Sequence, residues 1–203
     1  MALAMTESAP PVLADRELVA RAHDPAGRDE ALQALYERYK DEVYSFLVHL
    51  LRDPGLAEDA WHEAFVRVCL NIEHCDPERS FRAWLYQITR NAAFELLRNR
   101  ARDERLAQVK AGSAPSPEAE PVVDEAARRE AVLIAREALL DLPDDARALL
   151  VQRHGLGMKL EELAESWSVS ERTVRSRLAA AASLLARKLG GLIDRRGPRG
   201  GGP

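Results

Sequence analysis

Apolar residues recur every three or four positions in the first half of this 203-residue chain, and this period constrains the fold more than any other feature. The longest series comprises Leu32, Leu35, Tyr36, Tyr39, Val43, Phe46, Leu47 and Leu50. Side chains at this spacing lie on one face of an α-helix. We expect the helix to end at Asp53-Pro54-Gly55, because proline cannot continue a helix and glycine favours turns.

Two more helices are predicted in this half. One runs from about Leu56 to Ile72. The next starts after Asp76-Pro77, with Ser80 or Asp76 as its cap. Its apolar face comprises Phe81, Trp84, Leu85, Ile88, Ala92 and Leu96, so we assign Phe81 and Trp84 to the core. No segment has the alternating pattern of a β-strand, and the sequence therefore predicts an all-α fold.

The second half has the same character, with shorter helices predicted over about 127–140, 144–154, 160–167 and 170–189. The segment 160–178 predicts a helix-turn-helix, with Ser170 as the cap of its second helix and Val174 and Leu178 packed inward. The outward face of that helix has guanidinium and hydroxyl groups, which contact phosphates and base edges in a major groove. This arrangement favours DNA binding over an ordinary solvated bundle.

A segment of linker composition separates the two halves. It runs from Val109 to Asp124 and contains glycine, serine, acidic residues and three prolines. We expect two small helical domains joined by a flexible linker. The predicted divisions are a flexible N-terminal tail at 1–14, a first domain at 15–105, an acidic flexible linker at 106–127, a second domain at 128–190 and a flexible C-terminal tail at 191–203.

The charge distribution bears on the class of partner. The net charge of −4 argues against a nucleic-acid partner when taken as an average. The cations are clustered, however, with four arginines between Arg98 and Arg105 and a second group from Arg172 to Lys188. Basic surfaces on an acidic chain therefore remain compatible with DNA binding.

Several other classes of protein are not expected. No apolar run approaches the ~20 residues of a membrane span, and the N-terminus lacks the basic flank of a secretory signal, so we expect a cytoplasmic protein without membrane insertion. Cys69 and Cys75 form no CxxC pair, and we expect no metal and no cofactor. Without a phosphate loop or a nucleophile motif, the chain is not expected to be an enzyme.

Three stretches together identify a resemblance. They are LYERYKDEVYSFLVHLLRDPGLAEDAWHEAFVRV, FRAWLYQITRNAAFELLRNRARDE and, after the linker, ALLDLPDDARALLVQRHGLGMKLEELAESWSVSERTVRSRL. In order and spacing they resemble the extracytoplasmic-function (ECF) group of sigma-70-type factors. The resemblance implies a promoter-melting domain (region 2) and an upstream-element domain (region 4). It implies a sigma factor that directs core RNA polymerase to promoters, recognises the minus-35 element and captures the melted minus-10 strand.

The resemblance also implies the polymerase contacts. The AEDAWHEAF helix would dock on a coiled coil of the largest subunit's clamp, and the flap of the second-largest subunit would be a further partner. The docking positions are Glu58, Asp59, His62, Glu63 and Phe65. His62 stands where the family commonly has glutamine. Factors of this kind usually have an anti-sigma partner, although no residue here identifies one.

Two sets of DNA-binding residues follow from the same resemblance. The minus-10 set is Cys75, Asp76, Arg79, Ser80, Tyr86, Arg90, Asn91 and Arg98. Within it, Asn91 matches an asparagine that the family uses near the extruded base, and Tyr86 is the aromatic candidate for DNA. The minus-35 set is Ser170, Arg172, Thr173, Arg175, Ser176 and Arg177. Ser168 stands where the family favours glycine, and a positive φ there would cost about 1 kcal/mol.

A second hypothesis is a stand-alone transcriptional regulator. In that case the helix-turn-helix would bind an operator, and the first domain would serve dimerisation or sensing. This alternative leaves the motifs around Asp59 and Asn91 unexplained.

Overall fold

The computed structural model describes residues 13–107 and 126–196, and the side chains within 13–102 and 133–193. All regular structure in these ranges is helical, as the sequence predicts. The helices are α1 (Asp15–Ala22), α2 (Arg28–Leu51), α3 (Pro54–Asn71), α4 (Phe81–Ala107), α5 (Ala126–Leu140), α6 (Asp144–Leu150), α7 (Leu160–Ser166) and α8 (Glu171–Arg196). A 3-10 turn (Ile72–His74) follows α3, and a π-helical turn (Val151–Gly155) follows α6.

The first domain comprises α1 to α4, with α3 packed between α2 and α4. Helix α1 was not predicted, because its apolar series is only three residues long: Leu18, Val19 and Ala22, all of which are buried. Asp15 fixes α1 on α2 by accepting hydrogen bonds from the Arg38 guanidinium and the Tyr39 hydroxyl.

The predicted helix ends are confirmed by their caps. Asp53 precedes α3, and its Oδ1 accepts hydrogen bonds from the amides of Gly55 at 2.9 Å and Leu56 at 3.2 Å. Ser80 Oγ accepts from the amide of Ala83 at 3.1 Å, and Ser170 Oγ accepts from the amide of Thr173 at 3.2 Å. Each cap satisfies amides that have no partner within the first helical turn.

The second domain contains the predicted helix-turn-helix, formed by α7 and α8. Leu163 and Val174 are fully buried between these helices. Ser168 lies in the turn with φ of 52°, so the left-handed conformation expected of this position is confirmed. Glycine adopts this conformation without steric cost, whereas serine does not.

The predicted domain boundaries differ slightly from the helix ends. Helix α4 continues to Ala107 and α8 to Arg196, the latter six residues beyond the predicted end of the second domain at residue 190. Leu192 is buried in that extension, which explains why the helix continues. Residues 1–12, 108–125 and 197–203, which contain most of the predicted tails and linker, lie outside the described residues.

The two domains pack against each other, which the sequence did not predict. Helix α7 lies on α4, and buried residues of both domains belong to one hydrophobic cluster. The side chain of Arg147, in the middle of the second domain's α6, is buried. Its Nη2 donates a hydrogen bond of 2.9 Å to the carbonyl oxygen of Leu50 at the end of α2. No helix in the described ranges is long and apolar enough to cross a membrane.

Candidate polymerase and promoter interface

The predicted docking residues lie mainly on the exposed side of α3. Glu58, Asp59, His62 and Glu63 are all solvent-exposed. Val66 and Leu70 continue the same side of the helix and are 53% and 70% exposed. Asp59, Glu63, Val66 and Leu70 are spaced three or four residues apart, so acidic and apolar groups form one continuous surface. We call these six residues the α3 surface.

Phe65 differs from the other docking residues because it is half-buried. Its ring centroid lies 4.8 Å from that of Tyr36 in an edge-on arrangement and 5.4 Å from that of Trp61. Tyr36 and Trp61 are themselves stacked at 5.4 Å. This aromatic cluster fixes α3 against α2 and thereby holds the α3 surface in place.

Two neighbouring cavities lie where the segment 74–80 meets α4. The first has a volume of about 270 Å³ and is lined by His74, Cys75, Asp76, Arg79, Ser80, Trp84, Gln87, Glu165 and Ser168. The second has a volume of about 310 Å³ and is lined by Arg67, Asn71, His74, Trp84, Gln87, Ile88 and Asn91. The second cavity combines an aromatic ring with three side-chain amides, which suit stacking on a base and hydrogen bonding to its edge.

The aromatic residue at these cavities is Trp84 and not Tyr86. Trp84 is only half-buried and lines both cavities, so its assignment wholly to the core is corrected. Tyr86 is fully buried, which makes its predicted contact with DNA wrong. Its ring lies edge-on to Phe46 at 5.3 Å, and its hydroxyl donates a 2.9 Å hydrogen bond to Glu42. Burial and the Glu42 carboxylate raise the pKa of Tyr86 far above its ordinary range, so the hydroxyl remains a donor.

Two other predicted minus-10 residues are not accessible in this arrangement. Arg90 is 7% exposed, and its guanidinium lies 4.1 Å from the ring centroid of Trp167 in the second domain. Burial lowers the pKa of Arg90 to about 10, which leaves it charged at neutral pH. Cys75 is also buried, and burial raises the pKa of its thiol to about 11. The predicted contacts of Arg90 and Cys75 with DNA are therefore corrected: neither side chain is accessible in this arrangement.

Of the remaining minus-10 residues, Asp76, Arg79 and Ser80 line the first cavity and Asn91 lines the second, whereas Arg98 lines neither. Asp76, Arg79, Asn91 and Arg98 are exposed, whereas Ser80 is half-buried. Asn71 and Gln87 also line the second cavity and were absent from the predicted set. Gln87 is three residues after Trp84, so the two side chains lie on the same side of α4. Asn71 gave no sequence signal, because packing of α3 against α4 brings it to this site.

The recognition helix α8 displays the predicted minus-35 residues. Arg172, Arg175, Ser176 and Arg177 are exposed and Thr173 is half-buried. Arg175 Nη2 pairs with Glu171 at 2.6 Å, and Ser170 serves as the cap of the helix. A row of cations and hydroxyls on one exposed helix suits a DNA major groove. Within the described parts of the chain, no three metal-ligating side chains are grouped.

Comparison with solved structures supports the fold. A structure of CnrH in complex with the cytosolic domain of CnrY aligns with a TM-score of 0.63 and 24% identity, over 90% of this chain and 99% of CnrH. The sigma factor RpoE from Bartonella quintana, solved with the anti-sigma factor NepR, aligns with a TM-score of 0.59 and 19% identity, over 78% and 96% of the two chains. These similarities establish a shared arrangement of helices.

Sequence comparison establishes the family. The model of sigma-70 region 2 matches residues 35–103, and a model of sigma-70 region 4 matches residues 133–185. The ECF RNA polymerase sigma factor SigM of Mycobacterium tuberculosis (strain ATCC 25618 / H37Rv) is 31% identical over 177 residues, which cover 87% of this chain and 85% of that protein. SigW of Bacillus subtilis (strain 168) is 27% identical over 170 residues, with 80% and 91% covered. This chain belongs to the ECF group of the sigma-70 family of RNA polymerase sigma factors.

Proposed function

We propose that this sigma factor docks on core RNA polymerase through the α3 surface. The observation that supports this role is the exposure of Val66 and Leu70 beside the acidic positions Asp59 and Glu63. Val66 and Leu70 are adjacent on one face of α3, and an exposed apolar patch with a polar rim is a feature of surfaces that a partner covers. The neighbouring carboxylates favour a partner surface with cations. The coiled coil of the largest subunit's clamp is the proposed partner, and the flap of the second-largest subunit would bind the second domain.

The second cavity is the proposed site for an extruded base of the minus-10 strand. Extrusion costs a few kcal/mol of stacking and pairing, which contacts inside the pocket must offset. Trp84, Gln87 and Asn91 lie at successive turns of the same side of α4, and all three line the cavity. In this assignment Trp84 stacks on the base, while Asn91, Gln87 and Asn71 donate or accept hydrogen bonds at its edge.

The proposed role of α8 is recognition of the minus-35 duplex. Arg172, Arg175 and Ser176 are exposed on it. Duplex recognition by α8 and strand capture at α4 require no chemical step by the protein, so we propose a non-catalytic initiation factor that acts in the cytoplasm with RNA polymerase. The solved relatives were crystallised with CnrY and NepR, which supports an anti-sigma partner for this chain as well.

A stand-alone regulator is not favoured, because the first domain matches sigma-70 region 2 over residues 35–103. The deciding experiment is transcription from promoter templates with core RNA polymerase, with and without the purified chain. We expect promoter-specific run-off RNA that requires the chain. Specific binding to duplex DNA without any association with core polymerase would contradict the proposal.

Docking and base capture are tested separately in the same assay. Leu70→Ser should weaken association with core polymerase, while Trp84→Ala should leave association intact and reduce run-off from a duplex template. A template that is already melted around minus-10 should restore part of the Trp84→Ala loss, because strand separation is then supplied. Equal loss on both templates would contradict the stacking role of Trp84.

A further inference from the structure

Helix α1 makes two polar contacts with residues 72–80, which we call the α3–α4 connection. His23 lies at the C-terminal cap of α1, and its Nε2 lies 2.9 Å from the carbonyl oxygen of Ile72. Because a carbonyl can only accept, the imidazole is the donor of this hydrogen bond. Arg16 Nη2 pairs with Glu78 Oε1 at 2.7 Å. The two contacts lie before and after His74 in sequence, so α1 holds the connection at two separate points.

The hydrogen bond from His23 acts on the wall of the second cavity. Asn71 and His74 both line that cavity, and Ile72 lies between them in sequence. The side chain of Ile72 is fully buried, and its carbonyl also accepts a 3.0 Å bond from the amide of Cys75. One carbonyl group therefore joins the 3-10 turn to itself and to α1. His23 thereby fixes the backbone that carries two cavity residues.

The ion pair with Glu78 acts on the first cavity in a similar way. Asp76 and Arg79 both line that cavity. The amide of Glu78 donates a 2.9 Å bond to Asp76 Oδ1, and the amide of Arg79 donates a 3.0 Å bond to the Asp76 carbonyl. Residues 76–79 therefore form a turn with its own internal bonds. Pairing with Arg16 sets where this turn lies relative to the rest of the first domain.

Helix α1 can support the connection because α1 itself is fixed to α2. Its three apolar residues are buried in the core of the first domain, and Asp15 accepts hydrogen bonds from Arg38 and Tyr39 of α2. His23 and Arg16, in contrast, are exposed. Exposed polar contacts contribute little to the stability of a domain. Substitution of either residue should therefore release the connection without unfolding the helix that holds it.

We infer that His23 and Arg16 are positioning residues for strand capture, which hold the α3–α4 connection at the distance from α4 that an extruded base requires. The inference rests on the proposed capture of a base in the second cavity. Neither residue contacts the base in this assignment. A binding site needs its groups within about 0.5 Å of the productive geometry, and contacts inside the pocket must offset the loss of stacking and pairing. A displaced wall would weaken those contacts.

The test of His23 compares variants of the full chain. His23→Ala removes the bond to Ile72, whereas His23→Gln retains a side-chain N–H donor at a similar distance from the backbone. His49→Ala is the matched control. His49 is also exposed, and its Nδ1 donates to the Ser45 carbonyl within α2 at 2.7 Å. Both alanine variants thus lose one imidazole and one bond to a backbone carbonyl.

The test of Arg16 uses charge exchange. Arg16→Glu replaces the ion pair with two like charges, and Arg16→Glu/Glu78→Arg restores a pair of opposite charges in the reverse order. Arg21→Glu is the matched control, because Arg21 lies on the same helix and pairs with Glu30 of α2 at 2.6 Å. It has the same change in net charge as Arg16→Glu.

Two quantities are measured on each variant. The first is hydrogen exchange of the amides of residues 72–80 in the free chain, followed by mass spectrometry. This rate reports local opening of the connection. The second is the initial rate of run-off with core RNA polymerase from a duplex promoter template on which the unaltered chain is active. Urea denaturation and association with core polymerase are measured alongside, so that loss of folding or docking is not mistaken for loss of capture.

We expect His23→Ala and Arg16→Glu each to speed exchange and to lower run-off by about threefold or more, as the loss of one polar contact allows. His23→Gln and the exchanged pair should recover most of both effects, and the two controls should match the unaltered chain. Unchanged exchange in the connection would overturn the inference, whatever happens to run-off. Faster exchange with unchanged run-off would instead contradict base capture in the second cavity, and thereby the proposed function of that site.

Discussion

The guanidinium of Arg90 lies 4.1 Å from the ring centroid of Trp167, and the guanidinium of Arg177 lies 6.0 Å from the same ring. Trp167 Nε1 donates a 2.7 Å hydrogen bond to Gln152 Oε1, which fixes the orientation of the indole. One aromatic side chain thus contacts a cation from each of the two proposed DNA-binding surfaces. The contact with Arg90 is shielded from water, whereas Arg177 is exposed.

This difference in exposure predicts different coupling energies. In a double-mutant cycle of Arg90→Met with Trp167→Leu, we expect a coupling of about 1 to 2 kcal/mol, because desolvation strengthens a cation–π contact. The matched cycle of Arg177→Met with Trp167→Leu should give about 0.5 kcal/mol or less, as is usual for exposed contacts. Urea denaturation followed by circular dichroism gives both energies. Additive effects in the Arg90 cycle would show that the stacking contributes no stability.

The turn of the helix-turn-helix offers a stabilising substitution. Ser168 has φ of 52°, so Ser168→Gly should raise the free energy of unfolding by about 0.5 to 1 kcal/mol, after allowing for the greater freedom of glycine in the unfolded chain. Ser168→Ala is the control, because it retains the strained conformation and only removes the hydroxyl that accepts from Gln87. A glycine variant no more stable than the alanine variant would contradict the strain.

Helix positions were predictable from the sequence because they depend on local spacing and on caps such as Asp53 and Ser170. Whether an individual residue outside the apolar face of α4 is buried or exposed was not predictable. Tyr86 is not part of the predicted apolar face of α4, yet it is buried: its ring packs on Phe46 of α2, and its hydroxyl donates to Glu42 of the same helix. Arg90 is buried, with its guanidinium against the Trp167 ring of the second domain. Both outcomes depend on contacts between residues far apart in sequence, which periodicity does not encode.

The α3 surface predicts a separation between stability and polymerase affinity. Val66→Ser and Leu70→Ser remove apolar groups that are 53% and 70% exposed, so each should change the free energy of unfolding by no more than about 0.5 kcal/mol. Association with core polymerase should weaken by about tenfold for the pair, since a partner would bury both side chains. Competition binding with labelled core polymerase gives the affinity. Leu133→Ser is the control, because Leu133 is 48% exposed in the second domain and outside the α3 surface.

The position of Asn91 predicts that its substitution impairs promoter opening and leaves closed-complex binding largely unchanged. Its side chain is exposed and lines the second cavity, so Asn91→Ala should reduce open-complex formation by about tenfold, the equivalent of one to two lost hydrogen bonds. Closed-complex binding should change little, because no base is extruded at that stage. Permanganate footprinting measures opening, and gel shift at low temperature measures closed binding. Asn99→Ala on the same helix is the matched control, and equal losses in both assays would remove Asn91 from the base site.

The end of α8 contains two glycines within a helix, and this predicts a further gain in stability. A Cβ built at Gly190 or Gly191 meets no atom within 4 Å, so alanine fits without strain. Each Gly→Ala substitution should raise the free energy of unfolding by about 0.5 to 1 kcal/mol, because glycine loses more conformational freedom in a helix. Gly157→Ala is the control: with φ of 65°, it should lower stability although its surroundings are equally open. Thermal denaturation separates the two cases. If Gly190→Ala and Gly157→Ala shifted stability in the same direction, backbone conformation would not be what distinguishes these sites, and the continuation of α8 to Arg196 would lose its support.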